Sequence, residues 1–115
     1  MHELSVCLSL LEQVGSIAAQ KESTRVTRIE LRVGPLSGVE VELLRNAWPL
    51  AAAGTIAIDA ELVIEEADVV VRCSVCDAES PARPNRLVCG QCGDFRTNLV
   101  SGDEMILQRV ELEQA

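Results

Sequence analysis

Residues 73–92 read CSVCDAESPARPNRLVCGQC, two Cys-x-x-Cys pairs separated by twelve residues. Paired turns of this kind bring four thiolates to tetrahedral positions about 2.3 Å from one zinc ion. Gly90 and Gly93 suit the second turn, where backbone amides point at sulfur. No histidine lies nearby, so the ligand set is Cys73, Cys76, Cys89 and Cys92. Four protein ligands leave no open position, which makes such a zinc structural and not catalytic. Two readings compete: independent thiol pairs, or a thioredoxin-like redox motif. One Cys-x-x-Cys suffices for redox work, so two matched pairs favour metal. About thirty residues surround the cysteines with few apolar side chains, so the metal itself must supply the folding energy there.

On either side of this stretch the chain reads as regular structure. AELVIEE and then DVVVR are strand-like and run directly into Cys73. From Cys92 the chain reads as loop through Gly102. A final strand spans Met105 to Glu113, with Ile106, Val110 and Leu112 sharing parity while Met105 and Leu107 do not. Further upstream, Ile29, Leu31 and Val33 alternate with Arg28, Glu30 and Arg32 in TRIELRVG, the period of a half-buried strand. Leu4, Cys7, Leu8, Leu11, Val14 and Ala18 mark one face of a helix that ends in the polar segment 20–24. Ser37 and Glu40 fit a capping box for a second helix, with Val39, Leu43, Leu44, Ala47, Leu50 and Ala51 as its apolar positions. Pro49 should kink or end that helix, and Gly54 suits its stop.

Apolar residues make up 48% of the 115 residues, but aromatics only 2%: Trp48 and Phe95 stand alone. The core must be built from Leu, Val, Ile and Ala, as one compact unit or one domain with a small satellite. The formal charge is −8, without clustered Lys and Arg or stacking aromatics. That composition argues against nucleic acid and against an anionic membrane surface as partners. No apolar stretch approaches the ~20 residues of a membrane span, and no signal peptide is visible. The expected location is the reducing cytoplasm, where cysteines stay thiols. Cys7 falls on the apolar helix face and reads as a small hydrophobe. A catalytic triad is not possible with one histidine at the terminus, and GPLSG lacks the lysine and spacing of a phosphate-binding loop, so no enzyme is expected.

The single histidine is His2, in MHELSV. A bulky second residue should leave Met1 in place with its α-amine. That amine, the adjacent amides and the imidazole can then form fused chelate rings, with the Glu3 amide as a fourth nitrogen. Four nitrogens in a plane suit Ni(II), and Cu(II) accepts them too. On these residues alone, a solvated terminal histidine and a chelate both stand.

MHELSV at the start, LRVGPLSGVE in the middle, the two Cys-x-x-Cys pairs and GDE near the end occur in this order. Together they resemble the HypA/HybF family of hydrogenase nickel-incorporation proteins, essentially from end to end. The resemblance implies an α+β fold: a small nickel-binding domain, two helices on a small mixed sheet, over 1–68 plus 100–115. A zinc-ribbon-like four-cysteine domain over 69–99 is inserted in it. It implies nickel at Met1, His2 and Glu3, and structural zinc at Cys73, Cys76, Cys89 and Cys92. It implies a metallochaperone acting with a HypB-type GTPase to deliver nickel to the [NiFe]-hydrogenase large subunit. Monomer and homodimer are both left open. Two features depart from the family pattern: Pro49 inside the second helix, and CGQC, where a proline commonly follows the first cysteine. The rival functions are an acidic zinc-ribbon adaptor with an idle terminus and a thiol–disulfide oxidoreductase.

Overall fold

The computed structural model describes residues 2–113. Alternation in VTRIELRV folds as strand β1 (Val26–Val33), which buries Val26, Ile29, Leu31 and Val33. It is the middle strand of a mixed sheet, with β2 (Glu61–Glu66) parallel on one side and β6 (Met105–Leu112) antiparallel on the other. A parallel neighbour requires a crossover, and it contains helix α2 (Val41–Ala52). Helix α1 (His2–Gln20) packs beside α2, and their apolar faces join β1 in one core around Val14, Ile29, Leu31 and Leu44. Two helices on a small mixed sheet are thus what the chain forms.

The helix faces differ in detail from the sequence reading. Helix α1 buries Cys7, Leu10, Val14 and Ala18, while Leu8 is 53% exposed. Leu8 and Leu10 are equally apolar, so periodicity alone could not choose between them. Helix α2 buries Leu44, Trp48, Ala51 and Ala52 and leaves Leu43 and Leu50 in solvent. Its start is also later than the Ser37 capping box placed it. The Ser37 hydroxyl accepts from the Val39 amide, Gly38 turns the chain at φ +84°, and the helix begins at Val41. Glu40 makes no side-chain cap; its own amide donates to the Glu3 carboxylate from helix α1, at 3.4 Å. Pro49 does not end the helix, which continues to Ala52. The missing donor costs only the bond to the Arg45 carbonyl near the end, and Trp48, Ala51 and Ala52 are anchored in the core.

Strand β6 explains its own broken alternation. Leu31 pairs with Leu107 and Glu30 with Arg109, so Gln108 is an extra residue, a β-bulge. A bulge switches the parity of the inward face: Met105 and Leu107 pack on the core before it, Val110 and Leu112 after it. Ile106, grouped by parity with Val110 and Leu112 in the sequence, is 46% exposed.

A second sheet has the order β4 (Glu79–Pro81), β3 (Val70–Cys73), β5 (Thr97–Ser101), all antiparallel. Strand β5 lies where the sequence reads as loop; three of its five residues are solvent-facing, which erases any apolar period. With two sheets end to end, the molecule measures 55 × 28 × 17 Å. Its radius of gyration is 17.5 Å, against about 13 Å for a compact chain of similar length.

The sheets meet where Gly34 passes Gly102. A Cβ at Gly34 would sit 2.1 Å from the Gly102 carbonyl oxygen, so only glycine fits there. Gly102 adopts φ +121°, and its carbonyl accepts from the Leu36 amide at 2.7 Å. The Glu104 carboxylate accepts from the Gly102 amide at 2.7 Å. Backbone amides, its own and that of Gly102, hold the Glu104 carboxyl below the usual range, with Arg32 adding attraction. A depressed carboxyl stabilises the fold above its unfolded-state pKa and loses that contribution as pH falls through the folded value. Glu104→Gln should therefore lower the melting temperature at neutral pH, and the gap to the parent should close on acidification. Melting curves across that range check it.

Cys7 is fully buried, its thiol donating to the Leu44 carbonyl at 3.8 Å, and burial pushes the thiol pKa up. Cys7→Ala should cost on the order of 1 kcal/mol in urea unfolding and leave metal content unchanged. Loss of a metal in that variant would show a ligand where the fold shows packing.

Candidate metal centre

The four cysteines expected to act together do converge. Their sulfurs all lie within 4.8 Å of one another, with Cys73–Cys92 and Cys76–Cys89 each at 3.6 Å. A tetrahedron with about 2.3 Å from metal to sulfur has edges of about 3.8 Å, so the set matches a zinc-sized ion.

Each pair is built the same way. Amides of Val75 and Cys76 donate to the Cys73 sulfur at 3.3 and 3.4 Å, and amides of Gln91 and Cys92 donate to the Cys89 sulfur at the same two distances. The residue after each second cysteine is left-handed, Asp77 at φ 64° and Gly93 at φ 78°. The turns then close through Cys73 N to Ala78 O and Cys89 N to Asp94 O, both 2.9 Å. Cys73 and Cys89 are buried, Cys76 and Cys92 exposed. The expected role of Gly93 in the second turn is met. Gly90 serves differently: its amide donates to the Ser80 hydroxyl at 2.8 Å, tying the second turn to β4.

The surroundings act unequally on the thiols. Amides of Cys92 and Gln91 stabilise the Cys89 thiolate and lower its pKa to about 6; the Cys73 thiol is lowered by the amides of Cys76 and Val75. The Asp94 amide works to lower Cys92, but the proton it shares with Cys73, together with burial, drives it to about 12. Four thiolates this close oppose one another's ionisation, and a divalent cation removes that opposition. Metal uptake here must release protons. Beside the site, the Arg96 guanidinium donates twice to Asp94 and holds that carboxyl at about 2.

The other expected site is the start of helix α1. Met1 lies outside the described residues. His2 opens the helix and is exposed. Glu3 follows, a residue only 8% exposed, its carboxylate directed inward to the Glu40 amide. Desolvation works to raise the Glu3 carboxyl, and the hydrogen bonds from the backbone amides of Glu40 and of Glu3 itself work against it, leaving the pKa lowered. The amides of His2 and Glu3 fall in the first helical turn, where no intrahelical acceptor exists. Sequence reasoning missed the inward turn of Glu3, and the roles of Ser80 and Asp94. A carboxylate three residues from an apolar Val6–Cys7 step gives no sign of burial by itself.

A family profile described as "Hydrogenase/urease nickel incorporation, metallochaperone, hypA" matches residues 1–112. Hydrogenase maturation factor HypA of Nitrosospira multiformis is 44% identical over 112 residues, covering 97% of each chain. The chain belongs to the HypA family. HypA of Aquifex aeolicus is 36% identical over 113 residues, covering 98% of both chains. Among solved structures, the solution structure of a HypA protein superposes with a TM-score of 0.73 at 25% identity, covering 98% of this chain and 97% of that one. The Ni metallochaperone HypA of Helicobacter pylori gives 0.69 at 24% identity and 96% of each, a likeness of fold. The HypA family is nickel-incorporating, and this member carries in addition a four-cysteine site able to hold a metal. Its CGQC turn keeps both amide–sulfur bonds. A proline at position 90 would lose the bond to Ser80.

Proposed function

We propose that this chain is a nickel metallochaperone of hydrogenase maturation, working in the cytoplasm without catalysing a reaction of its own. It binds Ni(II) through the amine of Met1, the imidazole and amide of His2, and the amide of Glu3. With a HypB-type GTPase it passes the ion to the [NiFe]-hydrogenase large subunit. Cys73, Cys76, Cys89 and Cys92 hold a structural zinc, and residues 69–99 form its domain within a nickel domain of 1–68 plus 100–115. The observation that carries the reading is the family match over 1–112, joined by an exposed His2 at the first turn of α1. First-turn amides can exchange a proton for a metal without breaking a helical bond. The Glu3 carboxylate, engaged with Glu40, anchors the turn and leaves the amide as the donor.

Metal transfer tests the delivery step. The nickel-loaded protein, incubated with the GTPase, GTP and metal-free large subunit, should yield nickel in the large subunit by mass spectrometry. His2→Ala protein should yield none. Equal transfer from both would contradict the reading.

A further inference from the structure

Nine arginines occur in the chain, and among the described residues seven lie within ion-pair distance of a carboxylate. Arg83 and Arg86 do not. Both are exposed, and they flank one tight turn, Arg83-Pro84-Asn85-Arg86, closed by the Arg86 amide donating to the Arg83 carbonyl at 3.0 Å. The two residues form an isolated antiparallel bridge. Residues so opposed send their side chains to the same face, with Cβ atoms about 5 Å apart, and like charges there destabilise each other. Pro84 fixes its own φ and stiffens the turn between them. A chain of net charge −8 thus holds two unneutralised guanidinium groups side by side, in a position that repels unless an anion lies between them.

These arginines also line an open pocket of about 400 Å³, walled by Pro81, Ala82, Val88 and Gly90. Guanidinium forks match carboxylates in plane and in pairs. The Gly90 amide, which would help cradle a phosphate, is already given to Ser80. The apolar wall of Pro81, Ala82 and Val88 suits the methylenes of acidic side chains and the chain that carries them. In an extended segment alternate side chains share a face, so two acids two residues apart can meet the two arginines together.

We propose that Arg83 and Arg86 form a docking point for an extended, carboxylate-bearing segment of a partner protein. This surface lies beside the four-cysteine centre, and its existence does not depend on the nickel reading.

Fluorescence anisotropy of a labelled, end-blocked peptide of alternating glutamate and alanine tests it on the full chain. The glutamine counterpart serves as control and pyrophosphate as competitor. The glutamate peptide should bind, weaken with salt, and lose about tenfold affinity or more with each of Arg83→Gln and Arg86→Gln. Zinc content and melting temperature of these variants should match the parent. Arg83→Glu combined with Arg86→Glu should instead bind the lysine counterpart, an outcome that impaired folding would not produce. Three results would overturn the proposal: no binding of the glutamate peptide, equal binding by parent and glutamine variants, or ready displacement by pyrophosphate, which would mark a phosphate site. Self-association lost in the variants without any peptide binding would assign the surface to a second copy and overturn it too.

Discussion

Cys76→Ser is expected to strip the four-sulfur centre of its zinc and loosen residues 70–101, while the helical core stays folded. The second sheet has little else to hold it. From its root at Val69, the buried apolar set there is Val69, Val71, Cys73 and Cys89, two of them proposed ligands. The first sheet and its helices bury Val14, Val26, Ile29, Leu31, Val33 and Leu44 independently of any metal. Structural zinc in small Cys-rich modules supplies about 10–16 kcal/mol of apparent binding energy, far more than so small a core can replace. Removing one ligand leaves three thiolates and an oxygen of lower affinity for zinc. Metal analysis should show well under one equivalent. Hydrogen exchange should show lost protection in β3, β4 and β5 but not in β1. Because Cys76 is exposed, the substitution itself removes little packing, and the change reports the metal. A full equivalent of tightly held zinc in Cys76→Ser would refute the assignment of all four cysteines as ligands.

The parts of this fold that were legible in the sequence are those where local pattern and final environment coincide. The alternation of β1 is readable from Arg28 to Val33 because a middle strand under two helices has one dry face there, and it breaks only at the irregularity between Val26 and Arg28. The cysteine centre was readable because its geometry is set within each four-residue turn, by amides that point back at the first sulfur. Strand β5 was not readable, because its residues answer to pairing with β3 and not to burial. The β6 face is not readable from alternation, since one bulge at Gln108 reverses parity, and a bulge has no compositional mark there. The start of α2 was misplaced because Ser37 caps a turn of its own, while the acid that serves the helix end comes from thirty-seven residues upstream. The proposed N-terminal site is legible only as chemistry: His2 and Glu3 offer atoms that could bind nickel, but which atoms face outward depends on the packing of Glu3 against Glu40.

His2→Ala is expected to abolish tight nickel binding with zinc and folding intact. It removes the only imidazole in the chain, and the residue is exposed, so no core contact is lost with it. A planar four-nitrogen set that loses its imidazole keeps the amine and amides only, and its fused rings are broken at one corner. Protons compete with nickel for every nitrogen of the set, so occupancy should also fall as the solution is acidified, which offers a route to release. Equilibrium dialysis with nickel at several pH values reads both effects. Unchanged nickel affinity in His2→Ala would return the histidine to the idle, solvated residue that terminal position alone suggests.

The chelate reading makes position as important as identity, and one measurement isolates position. The protein is made with a cleavable N-terminal extension and titrated with nickel by calorimetry before and after the extension is removed. All 115 residues, the fold and the zinc are common to both states; what changes is whether the nitrogen of Met1 is an amide or a free amine. Tight, one-to-one nickel binding should appear only after cleavage. Equal nickel affinity in the extended and the cleaved protein would contradict the account.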